Sequence, residues 1–177
     1  YIPPGETFRY DFTFLYPGTY MYHPHVDEMT QMGMGLMGMI VVHPRNPQYR
    51  VDRDFAIMLS EWYIPIGARR PDPREMSDFN VLTMNSKAFP GTDPLVVRTG
   101  QQVRIRFGNL SAMDNHPIHL HGMWSDIEDD DGQFHLRKHV VDMPPGTRRS
   151  FRVRADALGR WAFHCHLLYH MRAGMFR

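Results

Sequence analysis

The chain has 177 residues, enough for one large domain or a domain and a half, and balances 20 Lys and Arg against 19 Asp and Glu. That balance gives no electrostatic case for a nucleic-acid or membrane-surface binder, and no run approaches the roughly 20 apolar residues of a membrane-spanning helix. A single cysteine cannot form an internal disulfide, which leaves 11 His and 14 Met as the unusual counts.

The first residues, YIPPGETFRYDFTF, contain a turn that runs directly into an alternating strand, and the chain stops at Arg177. It reads as part of a longer protein, with any signal peptide outside it. Apolar alternation predicts strands over 8–14, 19–22, 36–42, 55–61, 81–84, 102–109, 148–153 and 160–165. Turn signals (YPGT, HPRNP, FPGTDP, DDDG, MPPGT) fall between them. Helical periodicity is confined to 28–32 and 166–171. Many short strands with few helices predict an all-β sandwich. The segment VVHPRNPQYRVDRD, broken by proline and charge, divides residues 1–47 from 48–177. The first piece is too short to bury a core alone; the second is the size of one complete sandwich domain. The acidic run 126–131 reads as a solvated hairpin turn rather than a cation site.

The lone thiol lies in HCHLLYHMRAGM. On a strand, residues i and i+2 share a face, so His164 and His166 point one way and Cys165 the other. That parity suits two metal sites set back to back. His170 and Met175 follow in a helix and loop able to fold back toward the cysteine. A Cys and a His with a weak thioether are most of a blue-copper ligand set, which needs a second His. HPIHLHG offers His116, His119 and His121, and YHPHVDEM adds His23 and His25 at i and i+2.

These three motifs, with the flanking PGETFRYDF, GLMGMIVV and VVDMPPGTRRSFRV, resemble the signature of the multicopper oxidases, the laccase-like family, over nearly the whole chain. The resemblance implies a cupredoxin-like Greek-key β-sandwich, with residues 1–47 ending a first cupredoxin domain and 48–177 forming the last. It implies copper as cofactor, in a mononuclear type 1 site and a trinuclear type 2/type 3 cluster that reduces O2 to water. By motif position, His116, Cys165, His170 and Met175 would hold the type 1 copper. His119 would bind the type 2 ion, and His23, His25, His121, His164 and His166 the type 3 pair. His43, His135 and His139 then remain as loop or linker residues.

The sequence departs from the family pattern in three respects. An upstream His-x-His-Gly motif is not in the chain, so six of eight trinuclear ligands are visible. The short interval between His25 and His116 fits a two-domain member, expected as a homotrimer with clusters shared between subunits. His139 stands where the family often has Asp. The donors implied are phenols, aromatic amines or Cu(I), and the location periplasmic or secreted.

Six methionines at 21, 29, 32, 34, 37 and 39 read either as adaptable core filler or, with Asp27 and Glu28, as soft Cu(I) ligands of a copper-resistance type. Packing is the favoured reading. Two other functions compete with oxidase activity: copper binding or sequestration without turnover, and a nitrite-reductase-like copper protein. The latter has no use for histidines on both sides of the cysteine.

Overall fold

The computed structural model describes residues 1–128 and 133–177. Eleven strands and two short helices follow one another among the described residues: β1 (Gly18–Tyr22), α1 (Glu28–Gly33), β2 (Gly38–Val42), β3 (Arg53–Trp62), β4 (Val81–Met84), β5 (Gln102–Asn109), β6 (Ile118–Leu120), β7 (Ser125–Glu128), β8 (Phe134–Lys138), β9 (Val140–Val141), β10 (Arg148–Arg154), β11 (Phe163–Cys165) and α2 (Leu168–Arg172). β1 and β2 pair as a separate antiparallel ribbon. A six-stranded sheet runs β4-β3-β5-β10-β7-β8, with β3 parallel to β5, and faces a three-stranded sheet β11-β6-β9. This is the all-β sandwich that the strand pattern predicts, in the cupredoxin-like form that the resemblance implies.

Strand parity decides what lies inside. On β5, Val103, Ile105 and Phe107 are buried between the sheets, with Ile57 and Leu59 of β3 and Phe151 and Val153 of β10. Phe107 stacks on Phe151 at 5.7 Å and meets Phe163 edge-on at 5.6 Å. Phe163 therefore anchors in the core the strand that carries His164 and Cys165.

The alternate residues Arg104 and Arg106 of β5 and Arg152 of β10 face the other way, on the side of the β1–β2 ribbon, with Glu128 of β7 beside them. Arg106 makes two 2.8 Å bonds to Asp54 and donates to Thr19 of β1 at 3.0 Å. Arg104 donates to Glu128 at 2.9 Å, and Arg152 contacts the other Glu128 oxygen. The thioethers of Met21 and Met39, opposite one another on the ribbon, pack against Gly108. The β1–β2 ribbon is thus seated on the sheet by the Arg106–Thr19 bond, at the edge of a buried ionic network, and by sulfur packing.

Four expectations need correcting. Residues 8–14 form no ladder: Phe8, Tyr10 and Phe12 are exposed, and only i,i+2 ring pairs remain from the alternation. A strand needs a partner for its backbone groups, and none of the described residues pairs with this segment. Asp126 and Glu128 belong to β7, where Glu128 is buried, so the acidic run is in part a strand; residues 129–132 lie outside the described residues. His135 sits on β8 rather than in a loop. Finally, α1 buries none of its residues, and Met29 and Met34 are exposed, so core filling does not account for them.

Candidate metal centre

β11 and β6 pair antiparallel with His164 opposite His119 and Cys165 opposite Ile118. The two-residue period then sends His164 and Cys165 to opposite faces. After Cys165 the chain turns through α2 and folds back. Cys165 N–H donates to the Met175 carbonyl at 3.1 Å, Met175 N–H to the His170 carbonyl at 3.0 Å, and Phe163 and Arg177 exchange backbone bonds of 3.0 and 2.9 Å. Gly174 permits the return: its φ is +125°, and a Cβ there would stand 2.5 Å from Ala88 Cβ and 2.7 Å from the Leu82 carbonyl.

On the cysteine face, His116, Cys165 and His170 bring one donor atom each within 4.8 Å of the others, and all three are buried. His116 Nδ1 and His170 Nδ1 are 3.1 Å apart, and the Cys165 sulfur is 3.9 and 3.7 Å from them. Ligand bonds of about 2.0–2.3 Å around one centre leave donors at roughly such separations. Met175 is wholly buried and tied through its backbone to both Cys165 and His170.

The opposite ring nitrogens settle the orientation of each imidazole. His116 Nε2 pairs with Ser111 Oγ at 2.6 Å, with Glu61 Oε2 at 3.8 Å, and His170 Nε2 faces Asp114 Oδ2 at 3.3 Å. With the ring proton on each Nε2, both Nδ1 lone pairs turn toward the sulfur, as a soft-metal site requires. Burial drives His116 down to about 3, with repulsion from His170 adding to it, and lowers His170 despite the nearby Asp114. Burial pushes the Cys165 thiol up to about 12. Glu61 is pushed up to about 7, chiefly by burial, against the backbone N–H groups it accepts. Two neutral imidazoles and one thiol fit a copper ion well.

On the other face four rings meet. His121 Nε2 is 2.8 Å from His164 Nε2, and His119 lies 4.8, 5.9 and 5.6 Å by ring centre from His121, His164 and His166. His164 Nδ1–H donates to the Cys165 carbonyl and His119 Nδ1–H to the His139 carbonyl, each at 2.8 Å, which frees both Nε2 atoms. The neighbouring His119, His164 and His166, after burial, lower the pKa of His121. Only His119 and His164 are on strands: His121 is in the turn after β6, and His166 lies past β11. That turn needs Gly122, with φ +72° and the Trp161 ring 2.7 Å from where its Cβ would be. His23 and His25 lie 4.8 Å apart by ring centre, tilted at 45°, but among the described residues no ring contact joins them to the four.

Four contacts are not visible in the motifs: Ser111, Asp114 and Glu61 as outer partners of the imidazoles, and the His139 carbonyl behind His119. Glu61 could have been noticed, because strand parity puts it on the same face as Ile57 and Leu59.

A multicopper oxidase family model matches residues 65–177, and a second multicopper oxidase model matches residues 1–47. The chain belongs to the multicopper oxidase family, whose cofactor is copper in type 1 and trinuclear sites. It is 64% identical over 89 residues to copper resistance protein A of Pseudomonas syringae pv. tomato, half of this chain but 14% of that protein. The structure of a blue copper oxidase from Nitrosomonas europaea superposes with a TM-score of 0.85 at 33% identity, covering 96% of this chain and 55% of that one. A copper nitrite reductase from Nitrosomonas europaea superposes at 0.86 with 21% identity, over 99% of this chain and 66% of that one, a likeness of fold alone. The chain thus spans a small fraction of the resistance protein and little more than half of the blue copper oxidase.

Proposed function

We propose that the chain carries the type 1 site and six of the eight trinuclear ligands of an oxidase that couples one-electron oxidation of phenols, aromatic amines or Cu(I) to reduction of O2 to water. The observation that carries this reading is the pair of histidine clusters on opposite faces of one strand, joined through His164 and Cys165. His116, Cys165, His170 and Met175 would hold the type 1 copper, and His23, His25, His119, His121, His164 and His166 would serve the cluster. Bound copper would supply one-electron redox chemistry on one face and oxygen binding on the other. The protein's own part is to fix ring tautomers, hold the thiol dry beside two neutral imidazoles, and provide a covalent route between the faces.

The four-ring cluster weighs against a nitrite-reductase-like role. Oxygen uptake by the copper-loaded full-length protein with a phenolic donor tests the proposal. Uptake that disappears in Cys165→Ser supports it, and full loading without uptake would assign copper binding without turnover.

The separation of His23 and His25 from the four other rings supports a cluster completed by another subunit, in a homotrimer of two-domain chains divided near residue 47. Mixed refolding of His23→Ala/His25→Ala with His164→Ala/His166→Ala full-length chains should restore activity that neither shows alone. An active monomer by light scattering would overturn that assembly. The likeness to copper resistance protein A supports a periplasmic or secreted setting and Cu(I) as a donor.

A further inference from the structure

Glu61 ends β3 on the interior face, where strand parity buries Ile57 and Leu59 and leaves the Glu61 side chain with no exposure. Its Oε1 accepts the backbone N–H of Met113 at 2.6 Å and of Asp114 at 3.1 Å. The loop fixed in this way gives both imidazoles their outer partners, Ser111 to His116 at 2.6 Å and Asp114 to His170 at 3.3 Å. The second oxygen, Oε2, has no hydrogen-bond partner among the described residues and stands 3.8 Å from His116 Nε2. A buried carboxylate oxygen left unpaired is costly. A cation on the far nitrogen of the same ring would offset that cost, because it makes the Nε2–H edge more positive.

We propose that Glu61 is a positioning residue of the type 1 site. It holds 111–114 in register for two ligand histidines from separate segments, and it sets a negative charge behind His116 that favours Cu(II) over Cu(I). The proposal rests on the type 1 reading above. A residue with only a packing role would not bias the copper oxidation state.

Two variants of the full-length protein divide the two roles. Glu61→Gln keeps an acceptor for the two amides and removes the charge. In mildly alkaline buffer it should retain the thiolate-to-copper absorption and move the Cu(II)/Cu(I) ratio about tenfold toward Cu(I), equivalent to about 59 mV for one electron. Glu61→Leu removes the acceptor. In the metal-free protein its Met113 and Asp114 amides should exchange at least about tenfold faster than in wild type, whereas Glu61→Gln should protect them. An unshifted potential in Glu61→Gln together with unchanged amide protection in Glu61→Leu would overturn the proposal. If Glu61→Leu does not fold, the Glu61→Gln potential alone decides. Wild-type protein that binds copper without thiolate absorption would instead defeat the type 1 reading, and the metal-free amide comparison still decides whether Glu61 positions the loop.

Discussion

His164 and Cys165 are consecutive, yet they serve opposite faces of one strand: His164 Nε2 is 2.8 Å from His121 Nε2, while the Cys165 sulfur is 3.7 Å from His170 Nδ1. The Cys165 carbonyl also accepts the His164 Nδ1–H at 2.8 Å, so the covalent link doubles as the orienting bond for the histidine. Substitution should therefore separate the two faces. His164→Ala should leave thiolate-to-copper absorption in place and reduce oxygen uptake by at least about 100-fold, the upper end of what removing support from a metal site costs. Parallel absorption and oxygen measurements on the full-length variant check this; loss of both signals would tie His164 to the cysteine site.

Copper uptake should follow pH in a defined way. The Cys165 thiol, near 12, holds its proton at neutral pH, whereas His116, near 3, and His170, lowered by burial, hold none beyond the neutral ring. Binding must expel the thiol proton, so affinity at this site should climb about tenfold per pH unit through the neutral range. A pH-indicator titration with copper should register a single proton released at the cysteine site. Cys165→Ser should abolish that release.

The sandwich, the metal motifs and the opposed directions of His164 and Cys165 were all legible in the sequence, because each depends on short-range parity or on residue types few other roles require. β6, β7, β8 and β9 were missed. Three of them have four residues or fewer, and Arg137 and Lys138 at the end of β8 break its apolar alternation. The segment 8–14 failed in the other direction: it has the right alternation but no partner strand among the described residues. Glu61 and Asp114 act on His116 and His170 from 55 and 56 residues away in the chain, counting Glu61 to His116 and Asp114 to His170, and only the folded loop brings them together.

The outward network should matter for stability. Glu128 is nearly inaccessible and bridges Arg104 and Arg152. Glu128→Ala leaves two guanidiniums without that partner, and breaking a buried ion pair costs about 3–5 kcal/mol. Urea unfolding should show the loss as a lower midpoint. The exposed Arg9–Asp11 pair supplies a control, since Asp11→Asn should leave the midpoint where it is.

The methionines in and just after α1 allow substrates to be told apart. Replacing Met29, Met32 and Met34 together by Leu should slow Cu(I) oxidation by about tenfold and leave phenol oxidation unchanged if thioethers guide the soft ion. Paired steady-state assays would show the difference. Equal loss on both substrates would return the segment to a packing role.

The central claim is that His116, Cys165 and His170, together with the buried Met175, form a type 1 copper site. Its most direct test is the visible absorption spectrum of the full-length protein, loaded with copper and oxidised. An intense thiolate-to-copper band toward the red end, absent in Cys165→Ser, is the predicted result; a fully loaded, colourless wild-type protein would contradict it.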